Sequence, residues 1–219
     1  MNDEAHVLEK VRRSLGRGGG VRHVAPEPPS IPDSVARLVR DGEALPGVFA
    51  KNAANQKMIV SKVLPSKAAG QLVEFVKAHP IRTIALSKSD LLESLGLRTA
   101  LEKAGLAVRT WDEMTLDELY DFDCAVTDVH CAIAESGSIA IKPSEKHGRG
   151  LSLVPMYHIA FVEAGEILPD MIDLFAHLRD DPDRGNVILI SGPSKTADIE
   201  MNVVTGVHGP NVVHTFIVQ

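Results

Sequence analysis

Apolar residues first recur along the chain with a helical period. Over residues 4–15, Val7, Leu8, Val11 and Leu15 fall three or four positions apart, and that stripe predicts a short helix. Gly16, Gly18, Gly19 and Gly20 end it, and Pro26, Pro28, Pro29 and Pro32 come next. Glycine loses more freedom on ordering than any other residue, and proline cannot donate to a ladder. Residues 16–32 therefore read as a flexible linker, so the expected organisation is an N-terminal helix plus Gly/Pro linker over 1–32 and one domain over 33–219.

From about residue 48 helical and strand-like patterns alternate. A helix is predicted over 65–79, with Ala68, Leu72, Phe75, Val76 and His79 on one face and Pro80 as its stop. Strands are predicted over 81–86, 106–110, 124–127, 138–142 and 158–162. Ser89 or Asp90 can cap one helix that runs past Gly96 to Lys103, and residues 116–120 suit a helical turn. A further helix is expected with Leu168, Met171, Ile172, Phe175 and Leu178 on one side and Pro169 near its first turn. The unbroken apolar run 187–190, between Gly185 and Gly192, fits a strand covered on both faces. The chain closes on the apolar run 212–218. Alternation with short connections and no internal repeat gives an α/β class, with a mainly parallel sheet and helices on both faces.

Composition narrows the classes. At ~150 residues per domain, 219 residues suggest one domain with an arm, or two small ones. With 44% apolar and 24% charged residues, a real core can form and wholesale disorder is excluded. No apolar run approaches the ~18 residues of a membrane span, and the acidic start lacks a signal-like stretch, so a cytoplasmic location without membrane is expected. The net charge of −6 speaks against a dedicated nucleic-acid binder. Cys124 and Cys131 are too few for a disulfide framework or a four-cysteine cluster.

Ligands of open α/β sheets bind beyond strand ends, which directs attention to loops of small polar residues. In Ala134-Glu135-Ser136-Gly137-Ser138, Glu135 suits a nucleophile, a base or a ligand anchor; equally it caps a turn in which Gly137 supplies positive φ. Over residues 191–200, hydroxyls of Ser191, Ser194 and Thr196, the backbone at Gly192 and the charge of Lys195 suit an anion, and Asp198 and Glu200 lie just beyond. The spacing is not that of a phosphate-binding Walker loop, and a strand-to-helix turn explains it equally well. His208, between Gly206 and Gly209, suits an acid–base group or a metal ligand. Arg149, between Gly148 and Gly150, can grip a carboxylate, or sit on a hairpin tip. His130, Cys131, His147, His158, His208 and His214 show no short metal-ligand spacing, so no metal is expected.

Four blocks in order carry a family resemblance: residues 132–138, residues 151–155 with His158 and Ile159, residues 190–200, and residues 206–210. Together they resemble the LUD-domain family and, within it, its lactate utilization protein C branch, strongly over 122–219 and more weakly back to about 48. The resemblance implies a NagB/RpiA/CoA-transferase-like fold. It also implies a role in oxidising L-lactate to pyruvate, as a part without iron–sulfur clusters beside cysteine-rich and iron–sulfur proteins. No cofactor is expected in this chain; the clusters are expected on those partners, with a small anionic ligand bound here. The motif positions give Glu135 and His208 as candidate catalytic residues, and Ser136, Gly137, Arg149, Ser191, Gly192, Ser194, Lys195, Thr196, Asp198, Glu200 and Gly209 as candidate ligand contacts. His130 stands where relatives often carry an acid, so an essential acid there is in doubt. Side chains alone accept no electron pair, and no dinucleotide fingerprint is present, so the chain reads as a component rather than a complete dehydrogenase. Two other functions stay open: a stand-alone CoA-transferase-like acyl or isomerase enzyme using Glu135, and a module sensing an anionic metabolite.

Overall fold

A computed structural model describes residues 3–16, 32, 35, 37–40, 42–145, 147–179, 181, 185–197, 203–205 and 209–219. Two compact units divide the chain, residues 1–36 and 37–219. In the first, α1 (Asp3–Ser14) forms as its stripe predicts, and Val7, Leu8, Val11 and Leu15 are all exposed. Residues 17–31 of the expected linker lie outside the described residues.

In the second unit α2 (Leu45–Asn55) leads into β1 (Ile59–Val63). Next come α3 (Pro65–Lys77), β2 (Thr83–Leu86), α4 (Asp90–Ser94), α5 (Leu97–Lys103) and β3 (Ala107–Thr110). Two short 3-10 turns precede β4 (Cys124–Asp128), β5 (Cys131–Ile133) and β6 (Ser138–Ile141). The remaining elements are β7 (Tyr157–Glu163), β8 (Ile167–Leu168), α6 (Met171–Arg179), β9 (Ile188–Ile190), β10 (Lys195–Ala197), β11 (Val203–Thr205) and β12 (Val212–Val218).

Six strands form one wholly parallel sheet in the order β1-β12-β7-β4-β2-β3. Alternate side chains of its strands bury on opposite faces. Ile84, Val126, Ile159 and Phe216 meet Leu72, Val76, Leu92, Leu97 and Leu101 from α3, α4 and α5 on one face. On the other face Ala160, Val162, Val213 and Ile217 meet Phe49 and Ala53 of α2 and a second sheet, β8-β5-β6-β9. The far side of that sheet carries Leu174 of α6. The observed fold is thus α/β with a mainly parallel sheet and helices on both faces.

Local chemistry sets the element ends. Ser89 Oγ accepts the N–H of Leu92 and caps α4. The single helix expected over 90–103 is two, because Gly96 takes φ +64 and turns the chain before α5 restarts. Asp170 Oδ1 accepts the N–H groups of Ile172 and Asp173 at the start of α6, whose Leu174 is buried while Phe175 is exposed. Leu168 belongs to β8 rather than to that helix.

The run 187–190 departs most from expectation. It is not a doubly covered parallel strand: β9 pairs antiparallel with β6 and leaves Leu189 43% exposed. A short apolar run signals β structure without saying which sheet receives it. The longest buried run lies in β12, flanked by β1 and β7 and buried from Val213 to Val218. After β9 comes β10, which pairs antiparallel with β11.

The main sheet also buries two histidines. His158 Nε2 lies 2.9 Å from Thr127 Oγ1, and His214 Nε2 lies 2.9 Å from Ser61 Oγ. The His214 ring stacks at 4.1 Å on Phe216 and meets the edge of Phe75 at 4.6 Å. Burial makes the charged imidazolium costly and lowers His158 to about 3 and His214 to about 4. At neutral pH both are neutral in folded and unfolded chains alike. As pH falls below ~6.5 the unfolded chain takes up these protons first, so stability drops by up to ~1.4 kcal/mol per pH unit for each histidine. Urea unfolding between pH 7 and pH 5 is expected to show this loss, with a shallower dependence in His214→Phe; identical slopes for the two proteins would contradict it.

Candidate functional site

The last turn of α2 gathers two of the expected motifs. Asn52 Nδ2 donates to the carbonyls of Ala134 and Glu135 at 2.9 and 3.0 Å. Gly137, at φ +66, presses onto Ala53, where an added Cβ would stand 2.2 Å from the backbone nitrogen. Gly192, at φ +87, presses onto Gln56 just beyond the helix; a Cβ there would lie 2.1 Å from the Gln56 carbonyl oxygen. Ser138 Oγ and Ser191 Oγ share a hydrogen bond of 2.7 Å, which ties the two turns to each other.

Beyond Gly192 opens a cleft of about 370 Å³ bordered by Leu153, Ile190, Ser191, Ser194, Lys195 and Pro210, among others. It sits at the amino ends of β1, β12 and β7, whereas the general rule for open sheets favours the opposite edge. Lys195 is exposed at its rim and donates to Gln56 Oε1 at 3.1 Å. An ammonium has three donors, so this bond leaves two for a guest. The Ser194 amide is spent on the Pro210 carbonyl at 2.9 Å, while its side chain borders the cleft. Gly209 lines the cleft, with a virtual Cβ 3.2 Å from Ser194 Cβ.

The other expected residues divide. Glu135 is half-buried, outside the cleft lining, and its carboxylate has no partner among the described residues. The Ser136 hydroxyl is buried without a hydrogen bond. Arg149 is exposed on the 3-10 turn Arg149–Ser152, where its carbonyl accepts from Ser152 Oγ; Ser152 itself lines the cleft. Thr196 lies in β10. Asp198, Glu200 and His208 lie outside the described residues. Exposed His130 donates its amide to Ala140. Cys124 and Cys131 are buried free thiols, and burial pushes Cys131 up to about 11 and Cys124 further, so both stay protonated.

A second polar cluster, which motif reading passes over, occupies the carboxyl edge. Ser87 Oγ donates to Asp128 Oδ1 at 2.8 Å, and His147 Nδ1 faces the same oxygen at 3.5 Å. Burial alone would raise the Asp128 carboxyl, but His147 and Ser87 outweigh it and hold the group below its ordinary value. His147 is 7% exposed, and its Nε2 is buried without a partner, as is Nδ1 of His158. Ser87, Asp128 and His147 share no short motif; only strand ends close to each other in space unite them. The one available signal is an acid directly after a predicted strand.

Comparisons with known proteins show the family and the fold. The LUD domain model matches residues 9–218. The chain is 26% identical to lactate utilization protein C of Halalkalibacterium halodurans over 93% of its own length and 92% of that protein's. It is 30% identical to lactate utilization protein C of Bacillus pumilus over 69% of this chain and 68% of that one. A protein of Escherichia coli, YkgG, is 28% identical over 96% and 95%. Among solved structures, a DUF162 family protein from Deinococcus radiodurans superposes with a TM-score of 0.59 at 18% identity, covering 80% of this chain and 96% of that one, which supports the fold. Matched over almost its whole length, this chain belongs to the LUD-domain family.

Proposed function

We propose that this chain serves lactate utilization, as a component without iron–sulfur clusters in a multi-protein system that oxidises L-lactate to pyruvate. The names of its relatives, lactate utilization protein C, support the role. Oxidising a hydroxy acid removes two electrons and two protons, and an acceptor must take the electrons. Two buried, protonated thiols are unsuited to that task; in this reading the acceptor sits on the cysteine-rich and iron–sulfur partners that the family resemblance implies. This chain contributes an anion site.

The observation that carries the anion site is the exposed Lys195 ammonium at the rim of a cleft otherwise walled by apolar side chains, hydroxyls and glycine backbone. Among the described lining residues no carboxylate competes for the charge. A carboxylate of a few carbons meets Lys195 and the Ser194 hydroxyl, while its aliphatic end rests on Leu153, Ile190 and Val213.

Two measurements test this reading. Affinity capture of the tagged chain from cells grown on lactate is expected to recover iron–sulfur proteins; capture without redox partners would count against the shared role. Calorimetric titration with pyruvate is expected to show binding that Lys195→Ala weakens at least about tenfold, a charge-assisted hydrogen bond being lost. Equal affinity in the variant, or no heat with the unaltered protein, removes the anion site.

A further inference from the structure

The order of strands in the main sheet creates a second place for a ligand. From β2 the chain moves outward to β3, and from β4 it moves the other way to β7, although β2 and β4 are neighbours. Their connections diverge beyond their carboxyl ends, which opens a crevice there. The crevice measures about 350 Å³ and is bordered by Lys88, Ser89, Asp128, Lys142, Ser144 and His147, among others.

Its floor is built rather than incidental. Asp128 Oδ1 is occupied by Ser87 and His147, while Oδ2 has no partner among the described residues and the side chain keeps 32% of its surface exposed. An ionised carboxylate only accepts hydrogen bonds, so Oδ2 calls for a donor. His147 Nδ1 stands 3.5 Å from Asp128 Oδ1 and walls that side of the carboxylate. Its Nε2 is buried without a partner, as is the Nδ1 of His158. Lys88 is exposed and spends one of its three donors on Asp112 at 2.6 Å.

We propose that this crevice is a selective site for a small carboxylate that also carries a hydroxyl group, its acid group meeting Lys88 and its hydroxyl donating to Asp128 Oδ2. Selectivity arises from the acceptor. A 2-oxo acid of the same size offers Asp128 no donor and sets its carbonyl oxygen against a negative charge. A site built to bond a hydroxyl rejects the analogue that lacks one far more strongly than an apolar pocket rejects a missing methylene. The crevice is separate from the Lys195 cleft, whose lining has no such acceptor among the described residues. Only the choice of lactate as probe rests on the role proposed above.

The test uses the full chain with labelled histidines, because the His147 ring reports from the crevice floor. L-lactate is expected to shift the His147 ring resonances saturably, and pyruvate at the same concentration is not. The lactate response should persist in Lys195→Ala and weaken at least about tenfold in affinity in Asp128→Asn and in Lys88→Gln, an exposed position whose replacement leaves the core alone. Equal shifts with pyruvate overturn the hydroxyl selectivity. No His147 response to lactate, alongside pyruvate heat that Lys195→Ala abolishes, overturns the crevice and leaves the cleft standing. A lactate response lost in Lys195→Ala but kept in Lys88→Gln also overturns it.

Discussion

The amino-edge cleft depends on backbone touching backbone at the end of α2. Gly137 and Gly192 come from separate motifs, 55 positions apart in the chain, yet each lays its Cα against the same helix end where a side chain has no room. Both take positive φ, which glycine adopts without the cost other residues bear. Asn52 completes the contact by holding two carbonyls of the first turn, and the Ser138–Ser191 bond closes the loop between the turns. The cleft is therefore a consequence of close packing. Lys195 stands at its rim because the turn before it is pinned.

The sheet supplies the second constraint. With six parallel strands, all amino ends lie on one edge and all carboxyl ends on the other. Loops that lead into strands, such as Gly209 and Pro210 before β12, stand on the first edge. Residues that end strands, such as Ser87 and Asp128, stand on the second. The two edges differ in chemistry. Among the described residues the cleft is lined by one cation with hydroxyls and apolar walls, whereas the crevice lining holds both lysine and carboxylate. That difference is what the proposed selectivity between a hydroxy acid and a 2-oxo acid rests on.

Much of this was legible in the residues. Helical stripes placed α1 and α3, Pro80 and Ser89 marked boundaries, and the alternation of elements gave the α/β class. Periodicity failed where tertiary position decides. The run 187–190 is apolar enough for a core strand but lies beside β6 in the smaller sheet, so its exposure results from pairing that no local pattern encodes. Gly96 interrupts a helix whose apolar spacing continues across it, and Phe175 fits the predicted apolar stripe yet is exposed. Site reading shows the same division. Glycine-rich motifs announce themselves in sequence, and two of them do meet at α2. Asp128 and His147 lie 19 positions apart and belong to no motif; they are found only by asking which strands end side by side.

The dependence of the cleft on α2 is tested most directly by hydrogen exchange in Gly192→Ala, with Gly70→Ala as the control. An added Cβ at Gly70, on the exposed side of α3, meets nothing within 4 Å, whereas at Gly192 it stands 2.1 Å from the Gln56 carbonyl oxygen. Faster exchange is expected in Gly192→Ala, confined to the segments around 50–56, 134–138 and 188–195, with protection of β4, β7 and β12 retained and no change in the control. Unaltered exchange of those three segments in Gly192→Ala would show that the turns hold their shape without the helix contact, and would contradict the dependence.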